Sequence, residues 1–192
     1  ESGNGNNGTV NGATLTNDRY GNVNSAYDFD GTAYIRALTD PSVSELTISF
    51  WMRTPASSPI NYPYLVSYGQ DVGLSNGTGI HQLGTIYGAN TGKVYIQNGL
   101  MSNNTVSYNQ WHHIVMYTNR DSVALIIDNG PVESMYIAHI SSFGSDVYFG
   151  QGDSLLNAER FLIGDLDDIA VYNRSLSLTE ISELYNSSLI SP

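Results

Sequence analysis

The sequence predicts an all-β fold: a two-sheet antiparallel jelly-roll sandwich with one short helix near its C-terminal end. Three observations predict it. Short β-branched and aromatic runs recur about every ten residues between clusters of Gly, Asn, Ser and Pro, the rhythm of a sandwich or jelly roll. The clearest run, Leu46 to Arg53, alternates strictly: Leu46, Ile48, Phe50 and Met52 fall on one face, Thr47, Ser49, Trp51 and Arg53 on the other. No segment alternates strand and helix as a parallel sheet would require.

The candidate strands follow in order: Thr9–Leu15, Ser25–Phe29, Tyr34–Ala37, Leu46–Arg53, Tyr64–Tyr68, Gly79–Ile86, Lys93–Gln97, Trp111–Thr118, Val123–Asp128, Ser134–Ile137, Val147–Gly150 and Leu166–Tyr172. Asp128-Asn129-Gly130-Pro131 supplies the turn chemistry between two of them, and Asn98-Gly99 closes another. Ser177-Leu178-Thr179-Glu180 is a capping box, in which the Ser177 hydroxyl caps the first turn and Glu180 bonds back. The helix it starts carries Leu178, Ile181, Leu184 and Tyr185 on one face and ends near Asn186. Residues 1–186 therefore read as a single domain, and 187–192 as a tail or the start of a linker.

Composition narrows the function. Seven Lys and Arg against 18 Asp and Glu give a formal charge of −11, so a basic nucleic-acid footprint is missing and anionic membranes repel the chain. No apolar run reaches the roughly 18 residues of a spanning helix. Cys is absent, which excludes disulfides, thiolate metal sites and a thiolate nucleophile. Asn, Ser, Gly and Tyr are abundant, and a surface kept soluble by amides and hydroxyls suits a secreted protein.

Several motifs match on paper only. Gly3 to Gly8 spells GxGxxG without the strand before it and the helix after it that a dinucleotide site needs. Gly73 to Gly77 spells GxSxG between antiparallel-looking strands, where no nucleophile elbow forms. His112 and His113 are consecutive on a strand, so their rings point to opposite faces and cannot share one metal. No strand offers the carboxylate pair of a glycosidase.

One acidic cluster has a physical argument behind it. In a regular strand through Gly164 to Tyr172, Asp167 shares a face with Ile169 and Val171, and a core-facing carboxylate is expensive to desolvate unless paired or bound to a metal. With few cations in the chain, Ca²⁺ is the expected partner, since it takes hard oxygen ligands; the alternative is that Asp167 caps a turn in water.

Taken in order, these segments resemble one family. Ser2 to Ala13, Ala26-Tyr27-Asp28-Phe29-Asp30-Gly31, Leu46 to Trp51, Trp111 to Val115, and Leu166 to Ser177 with Glu180-Ile181 and Leu184-Tyr185 are similar to the bacterial laminin-G-like domains of the concanavalin A-like lectin/glucanase superfamily. The resemblance covers nearly the whole chain. It implies a jelly roll with one structural calcium, held by Asn4 or Asn6 and Asp167, with Asp30 a further candidate through its carbonyl. It also implies an extracellular setting, as an accessory module beside a polysaccharide-degrading enzyme or within an adhesin. Two departures stand out. An additional family strand, with an acidic residue, is expected before the Ser2–Gly5 segment, while this sequence begins at Glu1, so that strand is absent or cut away; an acidic pair expected after Gly31 is replaced by Thr32-Ala33.

The leading functional expectation is a non-catalytic module that binds a polysaccharide or other glycan, because sugar faces stack on rings while hydroxyls need planar donors and acceptors. The ligand-binding candidates are Tyr62, Tyr64, Tyr68, Asp71, Asn76, Tyr87 and Asn90, which mix aromatics, amides and a carboxylate in loops. An adhesion or spacer module that binds a cell-surface protein, or nothing, is the second expectation. A glycoside hydrolase or polysaccharide lyase on the same fold is the third.

Overall fold

The computed structural model describes residues 8–39, 43–56, 63–68, 78–82, 92–96, 99–119, 121–136, 146–151 and 160–187, of which Tyr68 and 78–82 are described by backbone alone. Fourteen strands and one helix are described: β1 (Thr9–Asn11), β2 (Thr14–Thr16), β3 (Ala26–Asp30), β4 (Tyr34–Leu38), β5 (Glu45–Arg53), β6 (Tyr64–Tyr68), β7 (Thr78–Gln82), β8 (Lys93–Ile96), β9 (Leu100–Thr105), β10 (His112–Asn119), β11 (Ser122–Ile127), β12 (Glu133–Tyr136), β13 (Asp146–Phe149), β14 (Ile163–Tyr172) and α1 (Leu178–Ser187). They form two seven-stranded antiparallel sheets. The first runs β1-β4-β13-β6-β7-β8-β9 and the second β12-β11-β10-β5-β14-β3-β2.

Within the described residues the expected strands are recovered with two physical amendments; residues 83–86 of the expected Gly79–Ile86 strand lie outside them. Thr9–Leu15 is not one strand: Gly12 takes φ +80, a left-handed geometry that suits glycine, and the chain passes there from β1 in the first sheet to β2 in the second. β9 carries no apolar alternation and was invisible to periodicity; it forms because β8 pairs with it through the turn at Gly99. The β11–β12 turn is a tight one with Asp128 and Asn129 both at positive φ, closed by Gly130 N–H donating to the Ile127 carbonyl at 2.9 Å.

The core lies between the sheets. Phe29, Phe50 and Phe149 are fully buried at its centre, with Phe50 and Phe149 edge to face at 6.4 Å, and each such side chain contributes about 1.5–3 kcal/mol of burial. β5 keeps the predicted alternation, but its other face is also covered: Thr47 and Ser49 are buried. The cover at that end is α1 with the segment leading into it, which set Ile181 and Leu176 against Val115 and Ile126, with Tyr117, Tyr172 and Leu184 around them. Its capping box is in place, with Ser177 N–H donating to Glu180 Oε2 at 2.8 Å and Glu180 N–H donating to Ser177 Oγ at 3.3 Å.

β14 is bent at a bulge between Asp167 and Ala170, where Asp168 sits at φ +46. The extra residue changes which side chains share a face. Leu166 belongs to the core before the bulge, and Ile169 and Val171 pack on the core after it. Asp167 is thus corrected from a core-facing residue on the side of Ile169 and Val171 to one on the outer face of the second sheet. Gly164, at φ +144, brings β14 against β5: a Cβ there would stand 2.5 Å from the Arg53 carbonyl oxygen.

Candidate functional site

On that outer face, the β2–β3 loop folds over the second sheet and delivers Arg19. Its guanidinium pairs with Asp167 through Nη1 and with Asp168 Oδ2 through Nη2 at 2.5 Å. Its Cζ stands 4.6 Å over the Tyr20 ring centroid and 4.6 Å over that of Trp51, and Nε donates to Tyr20 Oη at 3.0 Å. Trp51 stacks in turn on Tyr185 of α1 at 5.4 Å and lies 5.1 Å from His113. The side chains of Arg19 and Asp167 are only 6% and 5% exposed, so this is a desolvated ion pair in which either partner alone would be costly.

The loop's shape follows from Asp18. Its Oδ1 accepts from Tyr20 N–H and Asn22 N–H, both at 2.8 Å, and Oδ2 accepts from Asn22 Nδ2 at 2.8 Å, an Asx-type turn that points residue 19 inward. Burial pushes the Asp167 carboxyl above its ordinary value, Asp168 adds to that, and Arg19 opposes it. Burial pushes the His113 imidazole down to about 4, with Asp128 opposing, Arg19 reinforcing and Asp168 opposing. His113 Nε2 and Ser49 Oγ are 2.8 Å apart, and Nδ1 is buried with no hydrogen-bond partner among the described residues. Neither His113 nor Ser49 reaches solvent, so the pair cannot serve as a nucleophile and base for an external substrate.

Around the bulge opens a cleft of about 790 Å³ at the end of the sandwich. Its lining sets exposed apolar side chains such as Val10 and Leu38 beside the polar residues Ser25, Thr39, Asp168 and Asn173, with buried core residues such as Phe149 and Leu166 behind them. Asp168 joins this lining to the Arg19 loop, and its side chain is 61% exposed.

The residues singled out from sequence are distributed as follows. Tyr64 is corrected from a rim aromatic to a buried one: on β6 it is 4% exposed and offers no stacking face. Tyr68 ends β6, with backbone paired to Val147 and Thr78. Tyr62, Asp71, Asn76, Tyr87 and Asn90 lie outside the described residues, as do Asn4 and Asn6. Asp30 is exposed, and its Oδ1 accepts from Thr32 N–H at 2.9 Å and Thr32 Oγ1 at 2.8 Å, bonds that hold its carboxyl below the ordinary value. Asp30 pairs with Ile163, four residues along β14 from Asp167, so the two are roughly 13 Å apart at strand rise. They do not meet at one ion. Asp167 Oδ2 is engaged by Arg19, and Oδ1 accepts from Asp168 N–H at 2.8 Å. The described residues therefore do not fit a calcium ion at Asp167, and no group of three acidic or imidazole side chains that could hold a metal occurs among them. Sequence reasoning missed Arg19, for which no local pattern exists; the available signal was that a buried Asp needs a cation and the chain has seven Lys and Arg to search.

With the two sheets and this site in view, known proteins place the fold. Residues 29–182 match the model of the concanavalin A-like lectin/glucanases superfamily. The chain belongs to that superfamily. No curated protein sequence matches it. Solved structures similar to this superfamily member include the binding domain of botulinum neurotoxin serotype G, at 17% identity and TM-score 0.68 over 98% of this chain and 48% of that one. Domain 4 of AbnA, an extracellular arabinanase from Geobacillus stearothermophilus solved in complex with arabinotriose, matches at 14% identity and TM-score 0.68 over 96% of this chain and 91% of that one. Trypanosoma rangeli sialidase matches at 14% identity and TM-score 0.73, over 95% of this chain and 29% of the enzyme. The chain thus spans about half of the toxin binding domain and nearly all of the arabinanase domain. Among the described residues no helix is long and apolar enough to cross a membrane.

Proposed function

We propose that this chain is a non-catalytic, extracellular carbohydrate-binding module, an accessory domain of a larger secreted enzyme or adhesin. The observation that carries the reading is the cleft at the β14 bulge: exposed apolar side chains such as Val10 and Leu38 stand with hydroxyl, amide and carboxylate groups in its lining, within the size range of small-ligand sites. Carbohydrate needs that mixture, apolar surface for its C–H faces and planar acceptors for its hydroxyls. Support also comes from the fold neighbour of nearly equal length, which was solved with arabinotriose. The non-catalytic part of the proposal rests on Asp167 and Asp168. Both are held by the same guanidinium, an arrangement suited to fixing a loop and unlike two carboxylates set to flank a glycosidic bond. Calcium remains an expectation carried by the family resemblance.

The test is retention on a panel of immobilised polysaccharides, run with calcium and with EDTA, beside a reducing-sugar assay. Saturable retention on a chemically related group without release of reducing ends is the expected result. Loss of retention in EDTA places an ion at or under the site. Release of reducing ends overturns the non-catalytic reading, and silence across the panel with folded protein favours an adhesion module that binds protein.

A further inference from the structure

We propose that the outward face of the Tyr20 ring, with the Asp168 carboxylate held on the same guanidinium, is a contact surface for a neutral polysaccharide. This rests on the carbohydrate-binding reading and names a surface for it that is separate from the aromatic loops suggested by sequence. Tyr20 is the outermost layer of a stack that runs inward through the Arg19 guanidinium and Trp51 to Tyr185. One ring face is covered by the guanidinium, and the residue is 45% exposed. Its hydroxyl is turned to Arg19 Nε, so what the ring presents to solvent is chiefly its apolar face.

The ring is also pre-organised. Asp18 fixes the backbone of residues 20 and 22, and Arg19 fixes the ring, so little conformational entropy is lost when a sugar stacks on it. The neighbouring polar group is suited to a sugar hydroxyl. Arg19 takes Asp168 Oδ2, while Oδ1 accepts no hydrogen bond from the described residues and the side chain is largely in solvent. An ionised carboxylate only accepts, so its partner must donate an O–H. Asp168 also lines the cleft at the β14 bulge. The chain's charge of −11 sets the ligand class, since it repels uronate or sulfated glycans and leaves neutral ones unaffected.

The competing explanation is that Tyr20 only shields the Arg19–Asp167 pair from water. Affinity electrophoresis separates the two, with arabinan, galactan, xylan and mixed-linkage β-glucan as neutral probes and polygalacturonate and alginate as acidic ones. The proposal expects wild-type retention by at least one neutral probe, an affinity loss of about tenfold or more in Tyr20→Ala, and near-wild-type retention in Tyr20→Phe, because phenylalanine keeps the apolar ring face. Wild-type binding that persists undiminished in Tyr20→Ala overturns this site and leaves the carbohydrate-binding reading standing. Retention by the acidic probes alone overturns the ligand class, and no wild-type retention by any probe overturns the reading itself. Should Tyr20→Ala fail to fold, Trp111→Phe leaves Trp51 as the single tryptophan. Its emission, next to the Arg19–Tyr20 stack, shifts on saturation with the retained polysaccharide if the ligand sits on Tyr20; an unchanged spectrum overturns the site.

Discussion

The outer face of the second sheet is covered at two places by opposite chemistry. Over Val115 and Ile126 the cover is α1, an apolar contact through Leu176 and Ile181 with a self-contained cap at Ser177 and Glu180. Over Trp51 and Asp167 the cover is the β2–β3 loop, whose contact is a guanidinium set against aromatic rings and two carboxylates. An apolar cover loses stability in proportion to the volume removed. A charged cover loses it nearly all at once, because removing one partner leaves the other buried and unpaired.

The sharpest way to break the contrast is Arg19→Ala, expected to cost about 4 kcal/mol in urea unfolding because Asp167 loses its cation. A cost no larger than that of a helix-contact truncation would contradict the difference drawn between the two covers. Acidification is the next largest effect. His113 is neutral in both states above pH 6.5; as pH falls from 6.5 to about 4 the unfolded chain takes up a proton that the folded chain refuses, so stability falls by about 3 kcal/mol and levels off below. The groups around that ring set the window: Asp128 and Asp168 favour the proton, Arg19 opposes it. The Glu180 carboxyl stays ionised in the folded chain over this range, because Arg174 and Ser177 hold it down to about 2, and the cap's contribution starts to fall only as pH drops through about 4.5, where the unfolded chain takes up the proton. A His113→Gln variant should flatten the profile, measured by denaturant unfolding at each pH; an unchanged slope would assign the effect elsewhere.

Ile181→Ala sharpens the comparison from the other side, with an expected loss of about 2–3 kcal/mol as a cavity opens under α1. Smallest is Ser177→Ala, about 1 kcal/mol through the lost cap, read as a fall in melting temperature with the near-ultraviolet signal of Trp51 unchanged.

The same contrast explains what the sequence disclosed. Strand alternation in Leu46 to Arg53 and the Ser177–Glu180 box are local patterns, and they predicted β5 and the start of α1 correctly. The Arg19–Asp167 pair joins residues 148 apart in sequence, and periodicity carries no information at that range. The face of Asp167 was misread because a bulge inserts one residue, with Asp168 in a left-handed conformation that a period-2 reading does not anticipate. Tyr64 was placed correctly at the start of a strand, but as a sugar-stacking candidate it fails, because period-2 reasoning does not say that this end of β6 is covered and the ring is buried. Composition identified the scarcity of cations and then led away from Arg19, although a scarce cation is where a buried carboxylate should be expected to pair.

The most direct measurement is a double-mutant cycle between Arg19 and Asp167, using Arg19→Ala, Asp167→Asn and the double variant in urea unfolding. If the guanidinium is the partner that makes the buried carboxylate tolerable, the double variant costs about 2 kcal/mol or more less than the sum of the singles. Additivity within about 0.5 kcal/mol would contradict the pairing and, with it, the loop arrangement on which the Tyr20 surface stands.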